Sequence, residues 1–287
     1  PAVCALLLLG HFPPLAIIII GLITAFAGYN AIYALNDLIG YKIDRAKMAD
    51  TTDYEGYSVE SSDYRHPIAQ GLLSTKAAAI WIGSWAIVAL AGAYWLNPVT
   101  VYILLLGGVL EAIYCLLLKV SHWRIIISGM VKACGPIAAV FAVSTQPQIN
   151  LVITLFFWVF FWELGGQNMP ADWTDIDEDK RANSKTTPIK YGTNITSRLI
   201  ISTLVLSLVF LSFSCLLSPL PFNIIAIITS IALGIHFLIY PAIQLHQHKI
   251  PKQAAKLFSK ASYYPLSILI ILGILIMWYN HSYVLIH

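Results

Sequence analysis

Carboxylate side chains are concentrated in one short stretch of this chain, Ala171 to Asn183, which reads ADWTDIDEDKRAN. Five of them fall within eight residues, directly after the apolar run LVITLFFWVFFWELGG. If the helix of that run continues for two turns, Asp172, Asp175 and Asp179 lie on one face, at i, i+3 and i+7. Such carboxylates repel each other unless they share a cation, and Mg²⁺ prefers carboxylate oxygens. The spacing therefore predicts a magnesium site; the alternative is a set of acids that are merely solvated.

A related acidic segment, NDLIGYKID, lies earlier in the chain. Aligning Asp44 with Asp179 places Gly40 where the second segment has Asp175. Each segment follows an apolar run and precedes a P-I-x-x-G sequence, within RHPIAQG in the first case and TTPIKYG in the second. The first segment supplies a second possible ligand set, namely Asn36, Asp37 and Asp44.

Basic residues flank both acidic segments. A metal ion can bridge a diphosphate to carboxylates, while Lys or Arg side chains neutralise the remaining oxygens. The two segments with their bases therefore have the composition of a diphosphate receptor. The candidate bases are Arg65, Lys119, Arg124, Lys180, Arg181 and Lys185.

The elements that must position these side chains are membrane-spanning helices. The chain has 287 residues, of which 58% are hydrophobic and only 11% charged, whereas a soluble domain carries about 25% charge. Apolar runs of about 20 residues can each cross a bilayer of roughly 30 Å. We predict spans at about 15–38, 76–96, 98–119, 122–143, 149–170, 198–218, 221–245 and 261–279. With AVCALLLLG as the remnant of a truncated first helix, the prediction is an all-α polytopic membrane protein of nine helices, forming one domain over residues 1–287.

The connections between these helices fall into two classes by charge. Those near Asn97, Ser144–Asn150 and Ser218–Pro221, and the C-terminal tail, contain no Lys or Arg. The other four hold or border every Lys and Arg except Lys132, and lie at about 39–75, 119–124, 171–198 and 246–260. The positive-inside rule places these four in the cytoplasm and the C-terminus on the opposite face. The loops 39–75 and 171–198 are therefore expected to cap an active site on the cytoplasmic side, and the last basic loop to contact lipid headgroups rather than nucleic acid.

Four helices separate the two acidic segments, so both run in the same direction. We interpret them as parallel pseudo-repeats about an axis along the membrane normal, with their acids facing a shared cavity. Three ionisable residues, Glu111, Lys132 and Glu163, lie about 12 Å below the cytoplasmic helix ends at 1.5 Å per residue. Charges at that depth usually face the bundle interior. We expect them to line one polar pocket; a structural Glu–Lys pair between helices is the alternative.

These motifs together resemble the UbiA superfamily of intramembrane prenyltransferases, over nearly the whole chain. The D-x-x-D-x-x-x-D pattern after the sixth helix matches in full, and KTTPIKYG is similar to the T-x-P-x-x-x-G ending of the family. The segment YCLLLK, Tyr114 to Lys119, resembles the Tyr/Lys motif after the fourth helix. RHPIAQG is similar to the family's R-P-[LI]-x-x-G.

The first motif departs from the family pattern, because Gly40 stands where the family has its main metal-binding aspartate. About 14 more residues separate this motif from its P-I-x-x-G ending than in the second repeat. One of the acids among them, or Asp37, can replace the missing ligand; alternatively one metal site is weak and activity is low or altered. The additional acids are Asp50, Asp53, Glu55, Glu60 and Asp63.

The resemblance implies magnesium-dependent transfer of a polyprenyl group from an allylic diphosphate to an acceptor. Departure of diphosphate would leave an allylic cation in a pocket closed to water. Two Mg²⁺ ions are expected, one of them weakened by Gly40, with the ligands Asn36, Asp37, Asp44, Asp172, Asp175 and Asp179. The implied diphosphate-binding residues are Arg65, Lys119, Arg124, Arg181 and Lys185. The implied catalytic residues are Asp175, Asp179, Lys119 and Tyr114. The ring of Tyr114 would position the acceptor or stabilise the cation; the alternative is that Tyr114 only packs.

Two other functions fit the same residues. A membrane terpene cyclase ionises the same diphosphate but uses no acceptor, and the charges at Glu111, Lys132 and Glu163 favour transfer over cyclisation. A transporter also has repeats and buried charges, but its polar groups should lead to both membrane faces. The acceptor is left open among aromatic, quinone-precursor and lipid-precursor classes, and no protein partner is expected.

Overall fold

The computed structural model describes residues 1–49 and 66–286, and every regular element within these ranges is helical. The α-helices are α1 (Ala2–Leu9), α2 (Leu15–Ala49), α3 (Thr75–Leu96), α4 (Pro98–Leu116), α5 (Arg124–Val143), α6 (Ile149–Trp162), α7 (Met169–Thr174), α8 (Ile176–Arg181), α9 (Thr187–Leu217), α10 (Asn223–Gly234), α11 (Tyr240–His248) and α12 (Pro251–Ile286). A 3₁₀ turn, Leu117–Lys119, extends α4. Two π-helical segments join α6 to α7 and α10 to α11, at Glu163–Asn168 and Ile235–Ile239.

Eight segments of the described chain are long and apolar enough to cross a membrane. The chain is thus an integral, multi-pass, all-α membrane protein with its helices in one bundle, as predicted. The predicted ninth helix is represented by α1, which has only eight residues and packs against α5 and α12. The Ser218 hydroxyl donates a hydrogen bond to the carbonyl of Leu7, which fixes α1 to the start of the α9–α10 connection. A count of nine spans is therefore not confirmed.

Side-chain caps explain where α3 and α4 begin. The Ser74 hydroxyl accepts a hydrogen bond from the Ala77 N–H (3.2 Å) at the start of α3. Asn97 ends α3 in an extended conformation, and its Oδ1 accepts the Val99 N–H (2.9 Å) at the start of α4. Each cap satisfies an N–H group that has no partner inside its helix. Asn97 alone therefore connects α3 to α4, in agreement with the predicted spans 76–96 and 98–119.

Several helices extend beyond their predicted apolar spans. α2 continues to Ala49 and α9 begins at Thr187, so residues 39–49 and 187–197 are helical where we predicted loops. Only residues 249–250 separate α11 from α12 where the loop 246–260 was expected. These expectations were wrong because hydropathy marks where a helix leaves the bilayer. Ala, Lys and Gln still favour helix in water.

Both π-helical segments end directly before a proline-containing turn, with Pro170 and Pro241. A proline has no N–H to donate to the carbonyl of the residue four positions earlier, and its ring collides with that carbonyl. Widening the preceding turn relieves this conflict and displaces the hydrogen-bond register. In the first segment the Gln167 side-chain amide donates a hydrogen bond to the Gly166 carbonyl (3.0 Å), the carbonyl that Pro170 cannot bond.

The glycines that end the two P-I-x-x-G sequences share an unusual backbone conformation. Gly71 has φ 76° and Gly192 has φ 74°. Gly192 interrupts α9 with ψ 168°, a region almost restricted to glycine. A Cβ atom at either position would meet no other atom of the described residues within 4 Å, so the backbone angle is what requires glycine here. This shared geometry agrees with the parallel-repeat interpretation.

Candidate active site

The first acidic segment lies within the continuous helix α2. Asp44 is 8% exposed, and Asn36 and Asp37 are half-buried. The Asn36 amide Nδ2 donates to Glu111 Oε1 on α4 at 2.6 Å, which leaves its Oδ1 as the atom that could coordinate a metal. Through the Asn36 side chain, the segment therefore connects Glu111 in the interior to the end of the bundle that carries the acidic segments.

A histidine completes a compact group at this segment. His66 Nδ1 lies 3.3 Å from Asp44 Oδ2 and 3.5 Å from Asp37 Oδ1. One ligand atom from each of the three residues lies within 4.8 Å of the others, an arrangement that could hold a metal ion. His66 was not among the predicted site residues. Its position directly before Pro67 was the available signal, but 22 residues separate it from Asp44.

The second acidic segment is not one continuous helix. α7 ends at Thr174, Asp175 has φ −102° and ψ 11°, and α8 begins at Ile176. The Thr174 hydroxyl donates to Asp175 Oδ1 at 3.0 Å and to the Ala171 carbonyl at 2.8 Å, which stabilises the break. The condition for placing three aspartates on one helix face, a helix that continues for two turns, is therefore not met at Asp175. The Thr174 hydroxyl bonds the Ala171 carbonyl locally, which favours this break.

Asp172, on the α7 side of this break, is held by Arg124 of α5. Arg124 Nη2 donates to Asp172 Oδ1 at 2.9 Å, and both side chains are less than 10% exposed. The guanidinium carbon also lies 4.5 Å from the ring centre of Tyr114. The Tyr114 hydroxyl in turn accepts a hydrogen bond from Asn168 Nδ2 at 3.0 Å. One face of the Tyr114 ring is thus covered by a fixed positive charge.

The structure brings the two acidic segments to the same end of the bundle, where α8 contacts α2. Glu178 and Asp179 of α8 are 4% and 3% exposed. Asp179 also lies close enough to Arg124 for a favourable charge interaction. A backbone hydrogen bond from Lys185 N–H to the Leu118 carbonyl (2.8 Å) ties the α8–α9 connection to the end of α4. Acidic and basic groups from α2, α5 and α8 therefore surround one region.

The remaining predicted bases lie at the edge of this region. Lys119, Arg181 and Lys185 have exposed side chains, which leaves them accessible to an anion at this end of the bundle. Arg65 lies outside the described residues, as do the additional acids of the first motif: Asp50, Asp53, Glu55, Glu60 and Asp63.

Each of the three deep charged residues has its own partner. Glu111 Oε1 accepts the Asn36 amide, and Glu163 Oε1 accepts the Ser128 hydroxyl at 2.8 Å. Lys132 Nζ donates to the Tyr33 hydroxyl at 3.0 Å and lies 5.7 Å from the ring centre of Tyr29. No Glu–Lys ion pair within 4 Å joins these three described residues, but Glu163 is the charge that attracts Lys132 most strongly.

Ser128 and Asn168 were not predicted to belong to the site. Asn168 Nδ2 donates to Ser128 Oγ at 3.1 Å as well as to Tyr114, so these residues link α4, α5 and the first π segment. Two buried oxygens in this network, Glu163 Oε2 and Asn168 Oδ1, receive no hydrogen bond from the described part of the chain. Neither residue type stands out in an apolar sequence, and only the π turn brings Asn168 to this position.

The side chains present fit a divalent cation. Asp37 and Asp44 on α2 and Asp175 and Asp179 at α8 supply carboxylate oxygens, the donors that Mg²⁺ prefers. Asp37 Oδ1 is buried and accepts no hydrogen bond among the described residues. Burying a carboxylate oxygen without a donor is costly, and a cation at this position would remove that cost.

A model of the UbiA prenyltransferase family matches residues 1–266 of the chain. The chain belongs to the UbiA prenyltransferase family. The prediction of a prenyltransferase is therefore confirmed at the level of the family. No curated protein matches this UbiA-family chain.

Solved structures of UbiA homologues share the fold. The apo UbiA homologue from Aeropyrum pernix K1 is 16% identical, with a TM-score of 0.73 covering 96% of this chain and 94% of that one. A UbiA homologue from Archaeoglobus fulgidus bound to DMAPP and Mg²⁺ is 13% identical, with a TM-score of 0.65 and coverages of 93% and 92%. A digeranylgeranylglyceryl phosphate synthase is 17% identical, with a TM-score of 0.60 and coverages of 96% and 90%. At these identities the likeness confirms the all-helical fold.

Proposed function

We propose that this protein transfers a polyprenyl group from an allylic diphosphate to an acceptor, with Mg²⁺ as cofactor. The observation that carries this proposal is the meeting of α2 and α8, which places two acidic segments and the buried Arg124 at one end of the bundle. The A. fulgidus homologue binds DMAPP with Mg²⁺ on the same fold, which supports the assignment.

In this reaction the acidic segments hold the diphosphate head and the bundle excludes water from the reacting carbon. Mg²⁺ held by Asp175 and Asp179, and a second divalent cation held by Asp37 and Asp44, would supply the positive charge that neutralises the leaving diphosphate. Arg124 is fixed by Asp172, so its charge is oriented before the substrate enters. Preorganised charge of this kind stabilises the leaving group without reorganisation during reaction. Lys119, Arg181 and Lys185 neutralise the outer phosphate oxygens.

The acceptor occupies the polar region around the first π segment. Glu163 Oε2 and Asn168 Oδ1 are hydrogen-bond acceptors that the described residues do not satisfy, so a substrate hydroxyl or N–H group suits them. Lys132, deeper in α5, favours an acceptor that also carries negative charge. If so, Glu163→Gln raises the KM for the acceptor and leaves the KM for the diphosphate unchanged; an equal rise in both would contradict this location.

The acidic end of the bundle faces the cytoplasm and the C-terminus the opposite side. The exposed basic residues at the ends of α4, α8, α11 and the start of α12 support this orientation. In a variant without native cysteines, an impermeant thiol reagent should label Thr145→Cys in intact cells. Lys252→Cys should react only after the cells are permeabilised; the reverse pattern would invert the orientation.

Pyrophosphate release tests the proposed reaction. Purified protein in detergent is incubated with geranylgeranyl diphosphate, with and without Mg²⁺ and with candidate acceptors of the aromatic and glyceryl phosphate classes. We expect Mg²⁺-dependent release that Asp179→Asn abolishes. Asp177→Asn is the matched control, because Asp177 lies two residues away, 78% exposed and paired only loosely with Lys180 (3.9 Å), and should retain activity.

The products separate the competing functions. A prenylated acceptor supports transfer, whereas a cyclic hydrocarbon formed without an acceptor would identify a terpene cyclase. Failure of release with every chain length and acceptor, in protein that still binds the diphosphate, would favour a transporter.

A further inference from the structure

The carboxylate missing at position 40 leaves a space that faces Asp44. A Cβ atom built on Gly40 would lie 2.9 Å from Asp44 Oδ2, with no other described side chain within 4 Å. A side chain at this position would therefore enter the ligand group on α2. In this chain the position contributes no ligand atom.

His66, which is not part of α2, contacts the carboxylates of Asp37 and Asp44. Its Nδ1 is 3.3 Å from Asp44 Oδ2 and 3.5 Å from Asp37 Oδ1. Around an ion with bonds of about 2.1 Å, neighbouring octahedral ligands are about 3 Å apart, so these spacings are close to those of ligands that share one ion.

The local backbone holds this arrangement. His66 has φ 55°, a left-handed conformation that costs a non-glycine residue energy and persists where surrounding contacts impose it. Two residues later, the Ile68 N–H donates to Asp37 Oδ2 at 3.4 Å. Asp37 Oδ1 is thereby directed toward His66, and it accepts no hydrogen bond from the described residues.

We propose that Asp37, Asp44 and the imidazole of His66 form a mixed oxygen–nitrogen site for a divalent cation, in which His66 replaces the carboxylate absent at Gly40. This inference rests on the proposed diphosphate chemistry at the same end of the bundle. His66 thereby compensates for Gly40. From the sequence, Asp37 and the acids between residues 50 and 63 were the candidates for this role.

The nitrogen ligand changes which ion the site prefers. Mg²⁺ is a hard cation that takes oxygen ligands, whereas imidazole suits transition metals, and affinity rises from Mn²⁺ toward Co²⁺ and Zn²⁺. The site on α2 therefore selects a transition-metal ion over Mg²⁺, while the carboxylates at α8 keep an oxygen-only environment. Replacing His66 by aspartate should shift the α2 site toward Mg²⁺.

Electron spin-echo modulation of bound Mn²⁺ tests this directly, because it reports a coordinated ¹⁴N nucleus. Full-length protein in detergent is loaded with Mn²⁺ alone and then with inorganic pyrophosphate. We expect nitrogen modulation in the wild-type protein and in His248→Ala, whose histidine is exposed at the end of α11. The modulation should vanish in His66→Asp. The double variant Gly40→Asp with His66→Ala should bind Mn²⁺ but show no nitrogen modulation.

Each outcome decides the proposal. Bound Mn²⁺ without nitrogen modulation in the wild-type protein would show that His66 is only a counter-ion of the two aspartates, and absence of Mn²⁺ binding would remove the site altogether. Modulation that survives in His66→Asp would assign the nitrogen to another residue. Pyrophosphate release measured on the same preparation, with Asp179→Asn as reference, shows separately whether the proposed function holds.

Discussion

At the scale of single residues, the buried pair of Arg124 and Asp172 contributes to both stability and catalysis. Arg124→Met removes the positive charge that pairs with the buried Asp172, and removal of one partner of a buried pair costs about 3–5 kcal/mol. We expect a comparable loss in the free energy of unfolding, measured by SDS titration in mixed micelles, together with loss of pyrophosphate release.

The double variant separates the two contributions. Arg124→Met with Asp172→Leu removes both charges, so most of the lost stability should return while pyrophosphate release stays absent. If the double variant regains activity, Arg124 has no role at the diphosphate. If it stays as unstable as the single variant, the pair is not the source of the loss.

The site residues show which roles a sequence can indicate. Asp172, Asp175 and Asp179 stand out because charge is rare in an apolar chain, and Glu111 and Lys132 stand out for the same reason. His66 and Asn168 do not. Their positions depend on a distant return of the chain and on a shifted helical register, and neither leaves a periodic signal.

At the scale of elements, the first π segment requires a small residue where it passes α9. A Cβ atom on Gly165 would lie 2.9 Å from the Ile200 carbonyl oxygen and closer still to Thr203 Oγ1. Because backbone cannot move aside cheaply, Gly165→Ala should destabilise by about 1–3 kcal/mol, the usual cost of overpacking. It should also displace Asn168 and weaken acceptor binding.

Gly83→Ala in α3 is the matched control for Gly165→Ala. A Cβ atom there meets nothing within 4 Å in the described part of the chain, so alanine should stabilise by about 0.5–1 kcal/mol through lower backbone entropy in the unfolded chain. Unfolding midpoints in SDS compare the two variants. Equal midpoints would show that α9 yields to the added methyl group.

Helix positions were more predictable than helix ends. The spans follow from hydropathy because the bilayer requires every backbone group to be bonded internally. The break at Asp175 and the two π segments arise from side-chain hydrogen bonds and from Pro170 and Pro241, which hydropathy does not register. These irregular positions are also where the acids and the polar network of the site are oriented.

At the scale of the whole molecule, the helices α2 and α8, which carry the two acidic segments, meet at the candidate site, so a ligand bound there joins the two segments. A ligand that binds only the folded state stabilises it by RT ln(1 + [L]/Kd), about 2.7 kcal/mol at 100 times Kd. Because the acids repel a free diphosphate and the cation bridges the two, pyrophosphate and Mg²⁺ should stabilise strongly only together. Each alone should shift the thermal midpoint little.

Thermal unfolding followed by tryptophan fluorescence measures this coupling, and variants on either repeat test its origin. Asp44→Asn on α2 and Asp179→Asn on α8 should each remove most of the shared shift, because each removes a metal ligand on one side of the bound pyrophosphate. Asp177→Asn, exposed on α8, should retain it. If the shift survived Asp44→Asn but not Asp179→Asn, the second repeat would bind the diphosphate alone. The bundle would then owe its stabilisation to α8 and its neighbours, and the contact between α2 and α8 would be structural.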